Sequence, residues 1–84
     1  MANVLLTPEA QKQLDELPLT IHMRVHQVFE RLAKWPDISG AKPLRGELAG
    51  HARVRTGDYR VQFYVRGDDV IVEKIGHRDG FYDE

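Results

Sequence analysis

Arginine and histidine recur through His51-Ala52-Arg53-Val54-Arg55-Thr56-Gly57-Asp58-Tyr59-Arg60, and the chain runs on into Val61-Gln62-Phe63-Tyr64-Val65. A guanidinium group is planar, stays charged, and offers several donors in a fixed fork, which suits phosphate or carboxylate. It cannot readily take a proton from a substrate. Proton transfer would fall to a histidine, which titrates near neutral pH. His51 opens this stretch, and His77 stands beside Arg78 in Gly76-His77-Arg78 near the end of the sequence. The two remaining histidines, His22 and His26, are four residues apart, a spacing that puts both on one helix face. A ligand set usually needs three or four members, so this pair reads as helix surface and no metal or other cofactor is expected.

These groups need a rigid support, and the pattern around them supplies one. Side chains alternate faces along a strand, so Arg53 and Arg55 share one face and Val54 takes the other. Beyond Gly57-Asp58, Tyr59, Val61, Phe63 and Val65 share one parity, while Arg60, Gln62, Tyr64 and Arg66 share the other. The stretch therefore predicts a strand, a short turn and a second strand, apolar on one face and cationic on the opposite one. Exposed arginines also keep one-sided sheets hydrated, so alternation alone does not make a site.

The other elements follow in order. Asn3 to Leu6 fits a brief strand. Thr7-Pro8-Glu9 starts a helix, with Thr7 as N-cap, Pro8 in the first helical position and Glu9 near the positive end of the dipole. Ala10, Leu14 and Leu17 give that helix one apolar stripe. After Pro18, Ile21, Val25, Val28, Leu32 and Trp35 recur at four, three, four and three, with Phe29 widening the stripe, and Pro36 stops the helix. The short junction predicts an antiparallel helical hairpin whose stripe is covered by the apolar sheet face. Residues 37–43 read as loop, and Gly46 and Gly50 are expected to permit a close approach to the sheet. Val70 to Ile75 is a β-branched run that suits an interior strand, although its period does not assign its faces. The expected fold is thus α+β: a short N-terminal strand and a helical hairpin on one face of a mainly antiparallel sheet of about four strands.

Bulk properties narrow the class. A chain of 84 residues is one small domain, 1–84. With no cysteine, disulfides, thiolate zinc sites and cysteine nucleophiles are excluded. The N-terminus does not read as a secretory signal, and no apolar run reaches membrane-spanning length, so a cytoplasmic protein with no membrane partner is expected. A formal net charge of -1 argues against nucleic-acid binding through bulk charge, so phosphate binding would need a local cluster.

Lys42-Pro43-Leu44-Arg45-Gly46-Glu47-Leu48-Ala49-Gly50, then Arg53-Val54-Arg55-Thr56-Gly57-Asp58-Tyr59-Arg60, then Gly76-His77-Arg78 with Tyr82, resemble the RelE/ParE family of bacterial toxins. The resemblance spans nearly the whole chain. It implies a toxin of a type II toxin–antitoxin module, wrapped and neutralised by a cognate antitoxin that alone would connect it to operator DNA. RelE-type members cleave messenger RNA in the ribosomal A site, whereas ParE-type members poison DNA gyrase. By the resemblance, Arg60 matches the sheet arginine at the scissile phosphate, Arg78 the arginine after the last strand, and Tyr82 the C-terminal tyrosine. Arg53 stands where RelE carries a catalytic lysine, and His51 near a second.

RNA carries its own nucleophile, the 2′-hydroxyl, so cleavage needs a base, donors for the phosphate and an acid, and no metal. The expected catalytic residues are Arg60, Arg78, Tyr82, His77 and Arg53, with Arg55, His51 and Arg45 binding substrate. His77, beside Arg78, is favoured over His51 for proton transfer. The expected function is a ribosome-dependent mRNA endoribonuclease whose partners are the ribosome and mRNA. A non-enzymatic gyrase inhibitor, or an inactive antitoxin-binding co-repressor, is the alternative.

Overall fold

In the computed structural model, which describes residues 2–81, β1 (Asn3–Leu6) leads into a capped helix. Thr7 Oγ1 accepts a hydrogen bond from the Ala10 N–H at 3.1 Å, and Pro8 occupies the first turn of α1 (Pro8–Asp15). The first orphan amides of the helix are thereby satisfied as the sequence requires. α2 (Leu19–Leu32) follows, burying Val25, Val28, Phe29 and Leu32. The helix stops one turn before the expected limit. Trp35 lies in the turn beyond it, yet its ring still meets Phe63 edge-on, with centroids 5.4 Å apart.

The sheet has five strands in the order β1-β5-β4-β3-β2. β3 (His51–Thr56), β4 (Tyr59–Arg66) and β5 (Asp69–His77) form an antiparallel meander. β1 adds to β5 in parallel, and the two-residue β2 (Lys42–Pro43) adds to β3 as an antiparallel edge. Where β1 has ended, the Ile75 N–H donates to Gln13 Oε1 at 2.7 Å, so a side chain of α1 takes over a strand's backbone partner. The turns place Gly57 and Gly67 at φ +60°, where a Cβ is disfavoured.

The helices cover one sheet face. Val54, Val61, Phe63, Val70, Val72 and Ile75 point into the core with Ala10, Val25, Val28 and Leu32. Burying each of the valine, leucine, isoleucine and phenylalanine side chains favours folding by about 1.5–3 kcal/mol. One expectation needs correction. Gly46 and Gly50 make no close approach: an added Cβ would meet nothing within 4 Å, and their positive φ values, 69° and 92°, are what the loop requires of them. The faces of β5 resist assignment from sequence because a bulge interrupts it. Gln62 pairs with Lys74 but Phe63 with Val72, so Glu73 is an extra residue and the parity changes there.

Candidate functional site

The uncovered sheet face carries the arginines. Arg55 stands opposite Arg60 in the β3–β4 register, and Arg53 stands opposite Gln62, all on the side away from Val54 and Val61. The rim of this surface comes from a different part of the chain. Lys42 pairs with Arg53 across β2–β3, and Gly40 lies just before it. Arg31 Nη2, at the end of α2, donates to the Ser39 carbonyl at 2.6 Å and so anchors the loop. Gly40 has φ +87°, and a Cβ there would come within 3.1 Å of the Arg31 guanidinium. The positive φ favours glycine at this turn, and a Cβ would also press on the Arg31 clamp.

Together Gly40, Lys42, Arg53, Arg55 and Arg60 line a depression of about 230 Å³. Arg60 is its floor. Its Nε and Nη1 are shielded from solvent and have no hydrogen-bond partner among the described residues. Desolvation first, then repulsion from Arg53, Arg55 and Arg78, pulls the Arg60 guanidinium below its ordinary pKa, with Asp58 acting in the opposite direction. Ion pairs among the described residues involve His51, His77 and Arg78, and none reaches Arg60 or Arg55. Buried donors without acceptors, held among like charges, are costly until an anion arrives. The depression therefore suits a phosphate or carboxylate, which would accept from Arg60 and offset the repulsion.

The other expected site residues divide. Arg78 begins the short helix α3 (Arg78–Phe81) and is close enough to repel Arg60. Its Nε lies 3.7 Å from Asp79 and 3.9 Å from Asp58, and its backbone N–H donates to the Asp58 carbonyl at 2.8 Å. These exposed contacts are loose and would yield to a stronger anion. His77 is not brought into the depression. It pairs with Tyr59 and meets that ring edge-on at 5.2 Å, so it belongs to the face of Tyr59 and Val61, opposite Arg60. Its Nδ1 accepts from the Asp79 N–H at 3.1 Å, a turn-holding role. Arg45 is exposed in the loop before the 3-10 turn Gly46–Leu48 and does not line the depression. Tyr82 lies outside the described residues.

His51 does share the arginine face, and it is not alone there. Its Nδ1 bonds to Glu73 Oε2, which also accepts from Gln62 Nε2 at 2.9 Å. The Tyr64 ring lies against the imidazole, with centroids 5.2 Å apart. Lys42, Gly40, Gln62 and Glu73 were not singled out from sequence. The one available signal was the charged pair Glu73-Lys74 inside an otherwise apolar strand, which a bulge explains.

Comparison with known proteins agrees with this architecture. A family model described as "ParE toxin of type II toxin-antitoxin system, parDE" matches residues 4–80. Toxin RelG of Mycobacterium tuberculosis is 34% identical over 82 residues, covering 94% of this chain and 93% of that protein. Toxin RelE3 of Methanocaldococcus jannaschii is 28% identical over 83 residues, covering 95% and 94%. Among solved structures, the RelBE2 toxin–antitoxin complex of M. tuberculosis contains a chain with a TM-score of 0.81 and 32% identity, covering 92% of this chain and 91% of that one. The RelB–RelE antitoxin–toxin complex of Methanococcus jannaschii gives a TM-score of 0.78 at 26% identity, covering 94% and 95%.

Proposed function

The chain belongs to the RelE/ParE family of toxins of type II toxin–antitoxin systems, and we propose that it is a ribosome-dependent endoribonuclease acting on messenger RNA. The observation that carries this reading is Arg60: shielded, without a partner for Nε and Nη1, and crowded by other cations. A phosphodiester backbone supplies what such a group lacks. With Arg53, Arg55 and Lys42 around it, Arg60 would hold the scissile phosphate and stabilise the charge that grows on its oxygens. Arg78 would leave its loose carboxylate contacts to join them. The nucleophile comes from the RNA itself, so the protein needs only to position, to neutralise and to move protons.

The expected partner is a cognate antitoxin. Similar solved structures are toxin–antitoxin complexes. β1 ends the strand order, beside a groove of about 580 Å³ lined in part by Val4, Leu5, Phe29 and Ala33. An edge strand beside an apolar groove favours capture of an extended or helical segment.

The matching family description names ParE, and this keeps a second reading in view, a gyrase inhibitor. Such a toxin needs a complementary surface and no proton-transfer group. Induction of the chain without antitoxin, followed by mapping of RNA 5′ ends and by a supercoiling assay, separates the two. New 5′ ends within translated frames with normal supercoiling support the nuclease. Intact messengers with loss of supercoiling reject it in favour of gyrase.

A further inference from the structure

Phosphate donors alone do not move the proton of the 2′-hydroxyl, and the arginines cannot accept it. His77 lies on the opposite face from Arg60. On the arginine face, the described histidine is His51, and the surrounding residues constrain it. The bulge makes Glu73 an extra residue opposite the Gln62–Phe63 step, and its carboxylate reaches across to His51. Gln62, almost fully buried, donates to the same oxygen and holds the carboxylate in place. The Tyr64 ring packs beside the imidazole, tilted 56° to it.

An ionised carboxylate only accepts hydrogen bonds. Two donors therefore converge on Glu73 Oε2, and one of them must be the Nδ1–H of His51. A neutral imidazole protonated on Nδ1 presents its lone pair at Nε2, which is the basic form. His51 and Arg53 are successive same-face residues on β3, about 7 Å apart along the strand. His51 thus adjoins Arg53, which lines the cationic depression.

Resting on the nuclease reading above, we propose that Glu73 is a positioning residue that holds His51 as the proton acceptor for the 2′-hydroxyl, with Gln62 holding Glu73. In the step, His51 Nε2 takes the 2′-hydroxyl proton as the 2′-oxygen bonds to phosphorus. The bond from phosphorus to the 5′-oxygen breaks, and that oxygen leaves with a proton supplied by an acid. The products are a 2′,3′-cyclic phosphate and a 5′-hydroxyl end. The electron pair of the broken bond stays on the 5′-oxygen, and nothing is oxidised or reduced. Alternation from core-facing Val72 already turns Glu73 to the arginine face, and the bulge keeps Lys74 opposite Gln62 before Ile75 returns to the core.

The test is single-turnover cleavage of messenger on programmed ribosomes by the full chain, Glu73→Gln, His51→Gln and the double variant, with ¹⁵N NMR of the imidazoles. Thermal melting checks that each variant folds. Glu73→Gln should lower kcat by about 10- to 100-fold and change KM by less than about twofold, because orientation of the base is lost while the phosphate donors remain. The Nδ1–H form of His51 should lose its dominance, since an amide can donate as well as accept. In the His51→Gln background, Glu73→Gln should cost nothing more. Equal kcat for Glu73→Gln and wild type, an additive double variant, or a wild-type His51 protonated on Nε2 overturns the proposal. A wild-type chain that cuts no messenger at all overturns the nuclease reading itself, a result distinct from cleavage that ignores Glu73.

Discussion

Replacing Arg60 by glutamine should flatten the salt dependence with which the toxin holds single-stranded RNA. Four cations line the depression: Lys42, Arg53, Arg55 and Arg60. Neutralising a phosphate on a single strand releases about 0.7 of a counterion, so four contacts give a log–log slope of about -2.8. On that slope, raising salt from about 50 to about 200 mM weakens binding about 50-fold. Without Arg60, three contacts give about -2.1, and the same change weakens binding about 18-fold. Glutamine keeps hydrogen-bonding capacity while removing the charge. The assay is fluorescence anisotropy with a 2′-O-methyl RNA, which lacks the attacking hydroxyl and stays intact. Lys12→Gln, on the exposed face of α1, is the control and should leave the slope unchanged. Identical slopes for wild type and Arg60→Gln would show that the depression does not hold phosphate, and the reasoning from shielding and repulsion would fail.

Three stability effects follow from the same structure. Arg60→Met should raise the melting temperature of the unliganded protein while abolishing cleavage, because the folded state holds this cation below its ordinary pKa through burial and its arginine neighbours. The sign is fixed: the folded protein binds that proton more weakly than the unfolded chain, so the penalty is present wherever both are protonated, neutral pH included. It lifts only as pH rises through the folded-state value. Thr7→Ala removes the acceptor for the Ala10 N–H and should cost about 1 kcal/mol, read as a fall of about 4–8 °C in a melting curve. Leu32→Ala leaves a cavity at a fully buried position and should cost about 2–5 kcal/mol by denaturant titration.

Local chemistry made much of this fold legible. Thr7-Pro8 announces its helix because cap and first turn are satisfied within a few residues. The β3–β4 hairpin follows from strict alternation about a turn glycine, and with it the shared face of Arg53, Arg55 and Arg60. The rest depended on partners distant in sequence. Gly40 and Lys42 reach the site because Arg31, on another element, holds the carbonyl of Ser39. Glu73 reaches it by alternating with core-facing Val72, but the bulge resets the parity before Ile75, and so the β-branched run conceals which face each residue takes. His77 looked suited to catalysis by its place beside Arg78, but it pairs with Tyr59, whose side chain points to the face opposite Arg60. Trp35 continued the helical period, yet it packs on Phe63 from a turn, since an apolar side chain need not be helical to reach the core.

The central claim is that the cationic depression holds the phosphate of an RNA being cut, and a reconstituted translation reaction tests it most directly. Purified toxin is added to ribosomes programmed with one defined messenger, and the RNA ends are sequenced. The account predicts cuts that require the ribosome, leave 2′,3′-cyclic phosphate and 5′-hydroxyl ends, and disappear with Arg60→Gln. Full-length messenger at toxin concentrations that arrest growth, or cutting undiminished in Arg60→Gln, would contradict it.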